Sequence, residues 1–219
     1  MADLSKNKYT ELLVFIILFL LALALLDERG VGELIASSIF LCVIISIIRK
    51  IYVRRVFALS VGCGVIGFLL EVVADFKLLP HPEEFLVVSN CIYLAFIFIA
   101  ILSLGKRLYA EKRVTIDTIR GGFCIYLFIG TAFFLVYDCI SLLDPKAFFY
   151  AVERKGLYNL MYYSFTTLTT LGYGGIVPLN KVAMVLANLE SVFGQLFPAV
   201  YIAKLVSLYS IEDIENQEP

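Results

Sequence analysis

The chain has 219 residues, 61% of them hydrophobic, and a mean hydropathy of +0.90, which excludes an ordinary soluble globular domain. Its formal net charge of -1 excludes the basic balance of a nucleic-acid binder and leaves lipid, ions and copies of itself as the expected partners. With one histidine, His81, and five cysteines at no metal-like spacing, there is neither a nucleophile with its base nor a metal cluster; the sequence reads as a non-enzyme that calls for no cofactor.

Apolar runs predict six membrane spans, at about Leu12 to Leu26, Leu34 to Ile48, Val56 to Phe76, Phe85 to Leu104, Gly122 to Leu143 and Val182 to Tyr209, against a bilayer's need for about 20 residues. The first two are short and are expected to extend by a turn into residues such as Tyr9 and Ile51. Cys42, Cys63, Cys91, Cys124 and Cys139 all fall inside these runs, where packing is their expected role. With both termini in the cytoplasm, the inside holds Lys6, Lys8, Arg49, Lys50, Arg54, Arg55, Lys106, Arg107, Lys112, Arg113, Arg120 and Lys204, twelve of the 18 basic residues. Arg29, Lys77, Lys146, Arg154, Lys155 and Lys181 are left outside, and this excess within favours cytoplasmic termini. A multi-pass protein of a plasma membrane, of prokaryotic type, is expected.

In the third span Ser60, Cys63, Gly64 and Gly67 set small residues at close helical spacing, which permits near contact with another helix. Glu71 and Asp75, four apart near its outer end, are intramembrane charges of the kind that partner a voltage sensor. The fourth span argues against that use: Phe85 to Leu104 contains no Arg or Lys, and steep voltage dependence requires several positive charges moving through the field. His81, between Pro80 and Pro82 in an outside loop, is either a pH-responsive group or simply solvated. From Lys106 to Arg120 the sequence turns basic and then amphipathic, and 105–120 is expected to form a linker helix along the inner headgroups. Asp138 is an ionisable residue at membrane depth in the fifth span, a candidate for function or for pairing near the outer surface.

Between the last two spans, Leu157 to Pro178 is too short and too polar at its end to cross a bilayer. Leu157 to Leu168 predicts a short helix without Gly or Pro, and Thr169 to Gly175 then abandons helical composition for Thr and Gly. Irregular backbone survives at membrane depth only where protein buries it or where it lines a water-filled path; a path for ions is the simplest such use. The run Thr170-Leu171-Gly172-Tyr173-Gly174, preceded by Thr169, resembles the selectivity filter of the potassium channel superfamily. Such a filter is a column of carbonyls that replaces the hydration shell of K+. Successive carbonyls aim the same way only if alternate residues take left-handed backbone angles, which Gly172 and Gly174 reach without steric cost. The resemblance implies K+ ligands from the carbonyls of Thr170, Leu171, Gly172 and Tyr173, with Tyr162 and Tyr163 matching the aromatic pair that braces the filter. A glycine-rich re-entrant turn without conduction is the other reading of these residues; a phosphate loop is excluded because no Gly-Lys-Ser/Thr follows.

In the last span, Leu189-Glu190-Ser191-Val192-Phe193-Gly194-Gln195-Leu196-Phe197-Pro198 is similar to the inner helix of bacterial two-helix pore domains, with Gly194 at the offset of that family's hinge glycine. Glycine loosens a helix and Pro198 removes a backbone bond, so a gating bend is expected there; close packing of Gly194 against a neighbouring helix is the alternative. Gln195 is expected to face the water-filled cavity. Glu190 is expected against the pore helix, either hydrogen-bonding the back of the filter or simply a carboxyl kept neutral by burial. Three positions depart from the family pattern: Gly175 stands where Asp is common, Thr166 where some members carry a buried Glu, and Leu171 where Val or Ile is usual. They put in doubt the hydrogen bonds around the filter, including those from Thr166 and Thr169, and so the strictness of selection.

The expected fold is an all-α membrane protein with six transmembrane helices, a re-entrant pore helix and a filter; each chain supplies one filter strand, and the resemblance implies closure by four, a homotetramer. Residues 1–104 would form a four-helix domain without sensor arginines, 105–120 the linker, 121–209 the pore domain and 210–219 a short acidic cytoplasmic tail. The expected function is passive, potassium-selective conduction without steep voltage gating. A weakly selective cation channel and a non-conducting membrane scaffold are the alternatives.

Overall fold

The computed structural model describes residues 8–25, 35, 38–40, 42, 54–76, 81–111, 113–151 and 157–215. Its elements are α1 (Lys8–Leu25), α2 (Arg54–Asp75), α3 (Pro82–Ala110), α4 (Ile116–Leu143), β1 (Phe148–Tyr150), α5 (Leu157–Leu168), β2 (Ile176–Pro178) and α6 (Lys181–Glu215). Among the described residues, three helices are long and apolar enough to cross a membrane: Pro82–Ala110, Ile116–Leu143 and Lys181–Ser210. The first and third expected spans fall on α1 and α2, whose apolar stretches Tyr9–Ala22 and Val61–Ala74 are shorter. The second, Leu34 to Ile48, lies almost wholly outside the described residues.

Helix α4 is the hub: α1, α3, α5 and α6 all pack on it, while α2 packs on α3. The reason is legible on α3, where Tyr93, Ile97, Ala100, Leu104 and Leu108 recur every three or four residues and are all buried. That stripe shares one core with Cys124, Ile125 and Phe128 of α4 and with Leu12 and Ile16 of α1. At the α2–α3 contact, a Cβ at Gly67 would come within 3.3 Å of the Tyr93 ring, and Ser89 Oγ donates to the Gly67 carbonyl at 2.9 Å. The small residue thus does what its spacing suggests.

The stretch 105–120 is not a separate linker helix. Leu108 continues the buried stripe and its methyls fill the space that a Cβ at Gly121 would occupy, so packing carries α3 on to Ala110. A capping box then starts α4: Thr115 Oγ1 accepts from the Thr118 backbone N–H at 3.1 Å, and the Thr115 N–H donates to Thr118 Oγ1 at 2.7 Å. Only five residues, 111–115, join the two helices. Helix α1 is tied to the same end of α4, where Arg120 donates to Thr10 Oγ1 and the Tyr9 N–H to Asp117 Oδ1.

The all-α expectation needs one amendment. Strands β1 and β2 pair antiparallel, with Phe148 opposite Pro178, Phe149 opposite Val177 and Tyr150 opposite Ile176. This ribbon fastens the segment after α5 to the end of α4, and Leu179 N–H adds a bond to the Ala147 carbonyl at 2.7 Å.

Candidate functional site

The site is built around α5, the short helix at Leu157–Leu168, which is held between α4 and α6. Glycine makes both contacts possible. A Cβ at Gly130 of α4 would lie 2.9 Å from the Phe165 ring, and one at Gly194 of α6 would overlap the backbone carbonyl of Leu168. Gly194 is buried and α6 runs unbroken through it and through Pro198, so of the two readings of that glycine the structure displays the packing one.

The last carbonyls of a helix lack partners of their own and must find others. In α5 the chain that follows supplies several. Thr166 O accepts the Leu171 N–H at 2.8 Å and the Gly172 N–H at 3.2 Å, and Thr167 O accepts the Thr170 N–H at 2.9 Å. The flanking helices add hydroxyls: Ser191 Oγ reaches Thr167 O at 3.3 Å, and Tyr126 Oη reaches Leu168 O at 3.4 Å. Thr166 therefore supports the run through its backbone, while its own hydroxyl bonds back to Tyr163 O at 2.9 Å; Thr169 Oγ1 likewise turns to Phe165 O at 2.7 Å.

With these N–H groups drawn back toward α5, the backbone of 170–174 alternates. Thr170, Gly172 and Gly174 have φ of 57°, 56° and 78°, all left-handed. The expectation named the two glycines; Thr170 joins them at the cost a side chain imposes there. Among the described residues, the carbonyls of Thr170, Leu171, Gly172 and Tyr173 accept no backbone hydrogen bond. The run is also open, with Leu171 54% and Tyr173 70% exposed. Backbone oxygens on an open strand are suited to ligate a cation.

Tyr162 and Tyr163 do not form a pair facing the filter. The Tyr162 ring stacks on that of Tyr173, 6.5 Å apart and 3° from parallel. Tyr163 is buried on the other side, edge-on to Tyr137 at 5.0 Å and to Phe148 at 5.4 Å. Neighbours on a helix project about 100° apart, so within one chain the two rings meet different surroundings.

Glu190 is fully buried against α5, and it reaches no atom of residues 170–174 among its described bonds. Tyr137 Oη donates to its Oε2 at 2.7 Å, and Ser164 Oγ lies 2.5 Å from its Oε1. Neither Tyr137 nor Ser164 stood out in the sequence; a hydroxyl amid an apolar run is too common a feature to single out. Gln195 is exposed on α6. Outside the site, Asp138 accepts from Asn90 Nδ2 at 2.7 Å and Glu71 from Tyr93 Oη at 3.0 Å, so both pair with α3. The side chain of Asp75 lies outside the described residues. No disulfide joins the cysteines; Cys124 is buried, Cys139 partly so, and Cys42, Cys63 and Cys91 are exposed. Among the described residues no cluster of His, Cys, Asp and Glu is arranged to hold a metal ion.

Beyond the run, Asn180 starts α6 by accepting the N–H groups of Val182 and Ala183 on Oδ1 at 2.8 and 3.2 Å, while its Nδ2 donates to Asp144 at the end of α4. Residues 123–210, which span α4 from its first turns through most of α6, match the family described as ion channels. Neither a curated protein nor a solved structure matches the chain.

Proposed function

We propose, from the match of residues 123–210 to the ion-channel family and the resemblance of Thr170 to Gly174 to a potassium filter, that the protein conducts K+ passively through a filter built from Thr170 to Gly174 of four identical chains. The observation that carries this reading is the left-handed alternation at Thr170, Gly172 and Gly174, with the N–H groups of 170–172 engaged by α5. In that backbone the carbonyls of Thr170, Leu171, Gly172 and Tyr173 are the K+ ligands, and Tyr162, stacked on Tyr173, steadies them. One chain supplies a single run of ligands, and only 6% of the most apolar window of α6 is buried within the chain, against 44% in α4. A homotetramer supplies the missing ligands and covers that helix. Gln195 faces the cavity; Pro198 is the bending point of α6 and Gly194 its pivot on α5.

Steep voltage gating is not part of this reading. Basic residues on α3 are confined to Lys106 and Arg107 in its last turns, with none along its apolar length. Both termini lie in the cytoplasm of a plasma membrane, and no cofactor beyond the permeant ion takes part.

The test is the reversal potential of purified protein in a planar bilayer with K+ on one side and Na+ on the other. A reversal near the K+ equilibrium value, lost in Gly172→Ala with the tetramer intact, is the expected result. A reversal near zero would replace the reading by a weakly selective cation channel. Absence of current with either ion, in Pro198 variants as well as wild type, would leave a non-conducting scaffold.

A further inference from the structure

Behind the filter, five oxygen atoms stand in a row. Tyr137 Oη of α4 lies 2.7 Å from Glu190 Oε2, Glu190 Oε1 of α6 lies 2.5 Å from Ser164 Oγ of α5, and Ser164 Oγ lies 2.7 Å from the carbonyl oxygen of Gly130, again on α4. Tyr137, Ser164 and Glu190 are each 0% exposed. Each separation is a hydrogen-bond length and needs one hydrogen between its two oxygens. Tyr137 supplies the first. Ser164 has a single hydroxyl hydrogen, and the Gly130 carbonyl has none to give. The Ser164 hydrogen cannot lie both toward Gly130 and toward Glu190, so the contact of 2.5 Å needs a hydrogen from the carboxyl group itself.

We infer that Glu190 is a carboxylic acid that donates from Oε1 to Ser164 while accepting from Tyr137, completing a one-way chain from Tyr137 through Glu190 and Ser164 to Gly130. The chain begins and ends on α4 and passes through α6 and α5, so it fastens all three helices of the pore domain at one point. Glu190 is then a positioning residue: it touches no ion ligand but fixes the helix whose last carbonyls hold the N–H groups of Leu171 and Gly172. Its direction also accounts for the residue types, since each inner member of such a chain must both accept and donate, as a carboxylic acid and a hydroxyl can. Only the consequence for the filter rests on the proposed conduction; the placement of the hydrogen does not.

Two measurements on the full-length protein in liposomes test this. The infrared difference spectrum of wild type minus Glu190→Gln is expected to contain the carbonyl stretch of a protonated carboxyl, and Ser164→Ala is expected to shift that band by removing its acceptor. A pair of carboxylate stretches in its place would overturn the assignment. Should Glu190→Gln fail to fold, the Ser164→Ala shift in the otherwise native protein decides. In K+ flux, Glu190→Gln is expected to stay within about twofold of wild type, because an amide also accepts at one end and donates at the other, whereas Glu190→Ala is expected to lose about tenfold. Loss in Glu190→Gln equal to that in Glu190→Ala would overturn the positioning role. Wild-type liposomes impermeable to K+ and Na+ alike would instead count against conduction, and the infrared band would still decide where the hydrogen lies.

Discussion

The two sides of α5 are unlike. On its back, Leu168, Ser164 and Tyr163 are buried among α4, α6 and β1, and the Ser164 hydroxyl meets two partners at hydrogen-bond distance. On its front and beyond its end, residues 169–174 are exposed, with three left-handed residues in five positions. The difference teaches that the open strand does not hold its own shape. Its N–H groups are fixed by the last carbonyls of α5, and α5 is fixed by glycines and hydroxyls on the helices behind it.

The largest effect is expected where the back is tightest. Gly194→Val places side-chain atoms where the Leu168 carbonyl already stands, and main chain cannot step aside as a flexible side chain would. Overpacking of this kind costs about 1–3 kcal/mol or more. Loss of the assembled protein on size exclusion in detergent, with loss of ion flux, is the expected outcome; a stable, conducting variant would mean that α6 does not rest on α5 there.

On the front, Gly172→Ala keeps the back untouched but forces a side chain into a left-handed conformation, at about 1–2 kcal/mol in each chain. The expected result is a folded protein whose reversal potential moves from the K+ value toward zero. Unchanged selectivity would uncouple the alternation from ion choice.

Smaller effects follow from single bonds on the back. Tyr137→Phe leaves the buried Glu190 Oε2 without its described donor, at about 1–3 kcal/mol, and should lower the thermal midpoint measured by circular dichroism. Thr115→Ala removes the cap that starts α4 and costs about 1 kcal/mol; it should lower the same midpoint slightly and leave the reversal potential where it was. A shift in selectivity from Thr115→Ala would break the separation between the helical scaffold and the open strand.

The front was legible in the sequence and much of the back was not. Glycine spacing and a break in helical composition announce irregular backbone directly, so Thr169 to Gly174 and the short helix before it could be read residue by residue. The apolar runs likewise placed α1 to α4 and α6, because a bilayer imposes a length. The end of α3 was misjudged: Lys106 and Arg107 suggest a surface segment, yet Leu108 on the same turn is held in the core. The ribbon of Phe148–Tyr150 with Ile176–Pro178 was missed because three-residue strands have no period to detect, although Phe, Tyr, Ile and Val all favour strands. Tyr137 and Ser164 were invisible for a different reason. Their importance lies in what they face, Glu190 53 and 26 residues away, and no local pattern encodes that distance.

The brevity of the connection at 111–115 bears on how the molecule is made. Five residues reach at most about 18 Å even when fully extended, and here they turn α3 straight back onto α4 of the same chain. Each chain can therefore pack α3 on α4 by itself during synthesis, with no need of another copy. In the proposed ring the chains then join without threading through one another. A destabilised subunit would spoil its own sector first, and subunits carrying different substitutions should mix freely in one assembly.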